Sequence, residues 1–93
     1  MRIVVNLPDA LMADTNGRVR VELSVEGDTV ASAFAALRRE LPGVYRRLIT
    51  EQGEVRQHIN VFVGDESIRW TGGLETRIPD GEELYVIPAV SGG

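Results

Sequence analysis

The sequence contains no cysteine. Disulfides, thiolate metal ligands and cysteine nucleophiles are excluded together. Lysine is missing as well, so all ten basic residues are arginine. An arginine-favouring, GC-rich coding sequence accounts for this without any function, whereas the chemical reading is that the chain carries no nucleophilic amine side chain. Histidine occurs once, as His58. Without cysteine or convergent carboxylates it forms no metal-ligand set, and it reads as a surface or packing residue at the start of a strand. No run approaches the about 18 apolar residues of a membrane span. Near the N-terminus Asn6, Pro8 and Asp9 interrupt the apolar stretch that a secretion signal requires. The net charge is −4, and no basic patch is visible in the order of residues to meet a phosphate backbone. The expectation is a soluble cytoplasmic protein with neither nucleic acid nor membrane as a partner.

What is present describes a globular chain. Hydrophobic residues make up 43% and charged residues 26% of the 93, which argues against disorder. One domain over 1–93 is expected, burying roughly 60–65% of its unfolded surface. Ser32, Ser67 and Ser91 have no visible base partner, and the turns "GDTVAS" and "TGGLET" lack the lysine of a phosphate-binding loop. The acidic pairs Asp65-Glu66 and Glu82-Glu83 read as solvated turns. Nothing here makes an enzyme by itself.

The hydrophobic period changes along the chain. "RIVVNL" at 2–7 is strand-like and stops at Pro8. A polar loop through "DTNG" then leads into "RVRVELSV", which alternates apolar Val19, Val21, Leu23 and Val25 with polar residues. After Thr29, a helix cap, apolar residues fall at Val30, Ala33, Phe34, Leu37 and Leu41, a helical stripe. Pro42-Gly43 ends that helix, and "VYRRLIT" offers a short second one. "HINVFV" is the next strand, "SIRW" a short edge strand, and the proline-aspartate-glycine turn of "TRIPDGEELYVI" delivers the final strand. Five strands and one main helix pack most economically as an α+β layer, the helix lying across one face of a mixed sheet. This is the ubiquitin-like β-grasp arrangement, with the last strand central beside the first.

That packing assigns faces. If Leu84 and Val86 point to the helix, then Tyr85 and Ile87 point outward with Phe62. Scattered exposed apolar residues are ordinary, yet here they adjoin the segment "PAVSGG". Phe62, Tyr85, Ile87, Pro88, Ala89 and Val90 are therefore the candidate partner-binding residues. Ser91 and Gly92 would thread a narrow channel, and Gly93 would present its carboxylate. A flexible tail over 90–93 reaches about 13 Å at roughly 3.3 Å per residue.

From Ile59 on, "INVFVGDESIRW" and "GGLETRIPDGEELYVIPAVSGG" resemble the ubiquitin-like sulfur carriers of the ThiS/MoaD family, most closely its cysteine-forming branch. The resemblance implies that an E1-like adenylyltransferase/sulfurtransferase uses ATP to adenylate Gly93, and that a sulfur donor then converts it to a thiocarboxylate. It further implies transfer of that sulfur by a pyridoxal-phosphate-dependent cysteine synthase using O-phosphoserine, and release of cysteine by a metalloprotease. The carrier itself would bind no cofactor. Two alternatives stay open: a protein modifier ligated through Gly93, and a carrier for thiamin or molybdopterin synthesis.

Overall fold

The computed structural model describes residues 1–88, and residues 12–14 only in their backbone path. The first hairpin pairs β1 (Arg2–Asn6) with β2 (Arg20–Ser24) antiparallel, setting Ile3 opposite Leu23 and Val5 opposite Val21. All four are buried, as strict alternation demands of a sheet with one covered face. The connection is not the polar loop expected from the sequence: residues Asp9–Thr15 form a 3-10 helix. Leu11 anchors it in the core, and the buried Thr15 hydroxyl donates to the Arg18 carbonyl. The turn itself survives at Asn16 and Gly17, both at positive φ (57° and 87°).

Helix α1 (Val30–Glu40) starts where the cap residue places it. Thr29 is extended, and its hydroxyl accepts the Ser32 amide at 3.1 Å. Val30, Ala33, Phe34, Ala36 and Leu37 are buried, and Leu41 caps the C-terminus half-buried against the core. Pro42 does more than terminate α1, because it opens α2 (Pro42–Leu48). At a first helical position the missing proline amide has no bond to lose and the fixed φ suits the turn. Val44 and Leu48 then join the core.

Three more strands complete a mixed sheet: β3 (Ile59–Val63), β4 (Glu66–Ser67) and β5 (Leu84–Pro88), in the order β2-β1-β5-β3-β4. This is the expected β-grasp topology. The edge strand is shorter and earlier than "SIRW", since Ile68–Trp70 is a 3-10 turn capped by Ser67. That turn buries Ile68 while leaving Trp70 81% exposed, whereas a strand would set both on one face.

The approach to β5 is fixed at several points. Arg77 bridges Asp28, the Val30 amide bonds the Thr76 carbonyl at 2.9 Å, and the Ile78 amide bonds the Asp28 carbonyl at 2.6 Å. Gly81, at φ 86°, then turns the chain into β5. Leu84 is fully buried between β1 and β3. Leu84→Ala should lower unfolding stability by about 2–5 kcal/mol, as buried leucine truncations do; urea denaturation measures it, and a loss under ~1 kcal/mol would contradict the central place of β5.

Candidate functional site

β5 has two faces that differ in burial. Leu84 and Val86 are buried beneath the helix layer, while Tyr85 and Ile87 are 38% and 46% exposed on the opposite face. The antiparallel register puts Phe62 directly across from Tyr85 and Asn60 across from Ile87. Phe62 is half-buried, so the strand register brings three of the expected partner-binding side chains onto one outer surface. Pro88, opposite Ile59, closes the strand and is exposed. Lacking an amide hydrogen, it donates no ladder bond of its own. The expected residues Ala89, Val90, Ser91, Gly92 and Gly93 lie outside the described residues.

One exposed aromatic residue beside Phe62 was not among those the sequence indicated. Trp70 and Phe62 are the apolar members of a shallow recess that Asn60, Asp65, Glu66, Ser67 and Arg69 also line, and Arg69 donates to the Asn60 side chain at 3.3 Å. The edge-strand reading hid this residue. The sequence offered no signal against it, because Ile68 and Trp70 two residues apart fit one face of a strand until the burial of one and exposure of the other are known.

A polar frame borders Tyr85 on the other side. Arg20 donates through both terminal nitrogens to the Glu83 carboxylate at 2.8 Å each, and Asn6 donates to the same carboxylate at 3.0 Å. Asn6 also donates to the Leu84 carbonyl at 3.0 Å. Glu83 is thus no solvated turn residue. It ties β2, β1 and β5 together at the start of the last strand. The Arg20 guanidinium, followed by the Asn6 amide, holds the Glu83 carboxyl below its ordinary range.

Among the described residues no three histidine, aspartate or glutamate side chains converge on a metal-sized site. No described helix is long and apolar enough to cross a membrane.

The ThiS family model matches residues 10–93. This chain belongs to the ThiS family. It is 35% identical to the sulfur carrier protein CysO of Mycobacterium tuberculosis over 95 residues, covering all of both chains. The crystal structure of that protein superimposes with a TM-score of 0.83, at 33% identity over 95% of this chain and 99% of the other. CysO of Amycolatopsis orientalis, solved in complex with BexX, matches with the same TM-score, 0.83, at 35% identity over 98% and 99% of the two chains. Small archaeal modifier protein 3 of Haloferax volcanii is 33% identical over 85 residues, 90% of this chain and 91% of that one. The ThiS-family chain therefore stands among sulfur carriers and ubiquitin-like modifiers with a shared β-grasp fold.

The Glu83 frame has a pH signature. A carboxyl whose folded value is depressed adds stability above its unfolded value, and that stability is lost as pH falls through the folded value. Wild-type Tm should therefore drop on acidification below about pH 4.5, the ordinary value for a glutamate, and Glu83→Gln should flatten that drop. Identical Tm-against-pH curves for the two proteins, measured by circular dichroism, would show that the Arg20–Glu83 pair contributes nothing.

Proposed function

We propose that this protein carries sulfur on Gly93 as a C-terminal thiocarboxylate and delivers it for cysteine synthesis. The observation that supports this best is the position of β5: a strand held on both sides runs straight into the segment that ends in Gly92-Gly93, with an apolar face beside it. The core strand fixes where the segment starts. The glycines, with no Cβ, fit a narrow channel.

The chemistry follows from the weakness of a carboxylate as an electrophile. A partner adenylyltransferase joins Gly93 to AMP and expels pyrophosphate from ATP. A sulfur donor then displaces AMP, which leaves the thiocarboxylate. Its sulfur forms a carbon–sulfur bond to an acceptor derived from O-phosphoserine, held by a pyridoxal-phosphate cysteine synthase. The resulting thioester passes its acyl group to the neighbouring amine, giving an amide-linked cysteine that a metalloprotease hydrolyses from Gly93. No thiol on the carrier is needed at any step, which suits a chain without cysteine. The absence of lysine also leaves no side-chain amine to intercept the activated Gly93.

Phe62, Tyr85, Ile87 and Pro88 would dock successive partners, with Ala89, Val90, Ser91 and Gly92 guiding Gly93 inward. A carrier has to leave each enzyme, so a small surface with a few apolar anchors suits it. Ile87→Asp should weaken binding to the adenylyltransferase by more than about 1 kcal/mol in calorimetry. Because Ile87 is exposed, Tm should hardly move. A large loss of Tm with unchanged affinity would remove Ile87 from the docking face.

The decisive test starts from chemically prepared Gly93 thiocarboxylate, mixed with the host's pyridoxal-phosphate cysteine synthase and O-phosphoserine. Intact-protein mass spectrometry should show the addition of one cysteine residue, removed again by the metalloprotease. Sulfur transfer to a thiazole or molybdopterin precursor without that adduct would assign the thiamin or molybdenum-cofactor branch. The similarity to a small archaeal modifier protein favours a second reading, ligation through Gly93 to target proteins. Isopeptide-linked conjugates in the host proteome would establish it.

A further inference from the structure

The sequence shows no basic patch, but the fold makes one. A recess of about 430 Å³ opens at the end of the sheet where β5 finishes, lined by Arg46, Arg47, Arg56 and His58 around a floor that includes Leu11 and Pro88. Among the described residues, no carboxylate lines it. Arg46 and Arg56 come from α2 and from the segment before β3, and the Arg56 Nε donates to the Arg46 carbonyl at 3.1 Å. Among the described residues, neither guanidinium has a carboxylate within ion-pair distance. Both also border a neighbouring hollow that adds Arg38 and a single acid, Glu51.

The opposite end of the same strands carries the other sign. Around Val63, where β3 ends and β5 begins, a second recess gathers Asp65, Glu66, Glu75 and Glu82. Its one arginine, Arg77, is already paired with Asp28. An acidic protein of net charge −4 thus has a charge axis along its central strands, positive at the end from which residues 89–93 continue. Such an axis orients the chain in the field of a partner before contact.

We propose that the Arg46–Arg56–His58 recess is a docking site for an acidic segment of a partner protein that inserts one aliphatic side chain between its carboxylates. The floor supplies the apolar contact and the rim supplies the charge complement. Pro88 lines this recess and directly follows Ile87 in β5, so the recess lies at the end of the strand that also carries the outer apolar face. The identity of that partner as an enzyme that handles Gly93 rests on the carrier reading. The binding chemistry does not, and it can be measured separately.

The test is a nitrogen-15 NMR titration of the full chain with an acetylated, amidated peptide of sequence Glu-Asp-Leu-Glu-Asp. Its neutral counterpart, Gln-Asn-Leu-Gln-Asn, is titrated alongside. Shifts should concentrate at Leu11, Leu48, His58, Ile59 and the Arg56 Nε, with affinity at least about fivefold higher for the acidic peptide and falling as salt is raised. Arg46→Gln/Arg56→Gln should abolish the preference while its free spectrum stays that of a folded protein, and Arg46→Gln alone serves if the pair unfolds. Equal affinity for both peptides, or shifts centred on Tyr85 and Ile87, would overturn the proposal. So would equal shifts from inorganic phosphate, which would make this a small-anion site. Concentration-dependent shifts in the free protein at both charged ends would assign the recess to a second copy of the chain. None of these outcomes depends on whether Gly93 is adenylated, so the docking site and the carrier reading fail independently.

Discussion

The parallel pairing of β1 with β5 is the constraint on which the other features depend. It places the last strand in the interior of the sheet, with Val5 beside Leu84 and, across the other edge, Val63 beside the same residue. A strand with neighbours on both sides has its backbone groups satisfied and its inner side chains buried, so it cannot fray without opening the core. Leu84 and Val86 therefore hold the point from which the C-terminal residues continue. The reactive end proposed for this protein would be useless on a loose edge strand, because a partner would have to locate it and order it at the same time.

Building the sheet this way also decides what the outer face can be. The helices cover one side only, and the inward set of residues is consistent across β1, β2, β3 and β5. A one-residue slip in β5 would bury Tyr85 and expose Leu84, so the register that stabilises the fold is the register that displays Tyr85 and Ile87. On one flank the Arg20–Glu83–Asn6 bonds clamp the start of β5, and on the other Trp70 lines a shallow recess with Phe62. Stability and display come from the same alternation.

Much of this was legible in the residues because local signals agreed with the global packing. Thr29 capping, the three-and-four spacing from Val30 to Leu37 and the strict alternation of β2 each point to one structure. The outward direction of Tyr85 and Ile87 followed from the same period of two. The errors arose where a tertiary contact outweighed local composition. Asp9–Thr15 looks like a polar loop until Leu11 is needed to cover the end of the sheet. Ile68–Trp70 has strand-like composition, yet burying Ile68 just after a two-residue edge strand demands a tight helical turn. Glu83 and the basic recess depend on partners 63 and 10 residues away in sequence, for Arg20–Glu83 and Arg46–Arg56 respectively, and no local period reports such separations.

If the outer face of β5 and the neighbouring basic recess bind partners as proposed, they divide recognition in a way that suits a protein meeting several enzymes in turn. In that reading apolar anchors such as Ile87 would set how long a complex lasts, since their contacts form only at close range. Arginines on the neighbouring recess act at a distance of up to about a Debye length, near 8 Å in physiological salt, and so affect how often and in which orientation encounters occur. Exposed ion pairs add little to affinity, roughly 0–1 kcal/mol each, so the charged end can guide an approach without making departure slow. A strong apolar surface alone would trap the carrier on its first partner, and a charged surface alone would hold it in no fixed register. In the proposed reading, the two together at the end of β5 would favour fast arrival, one defined orientation of the last strand, and release.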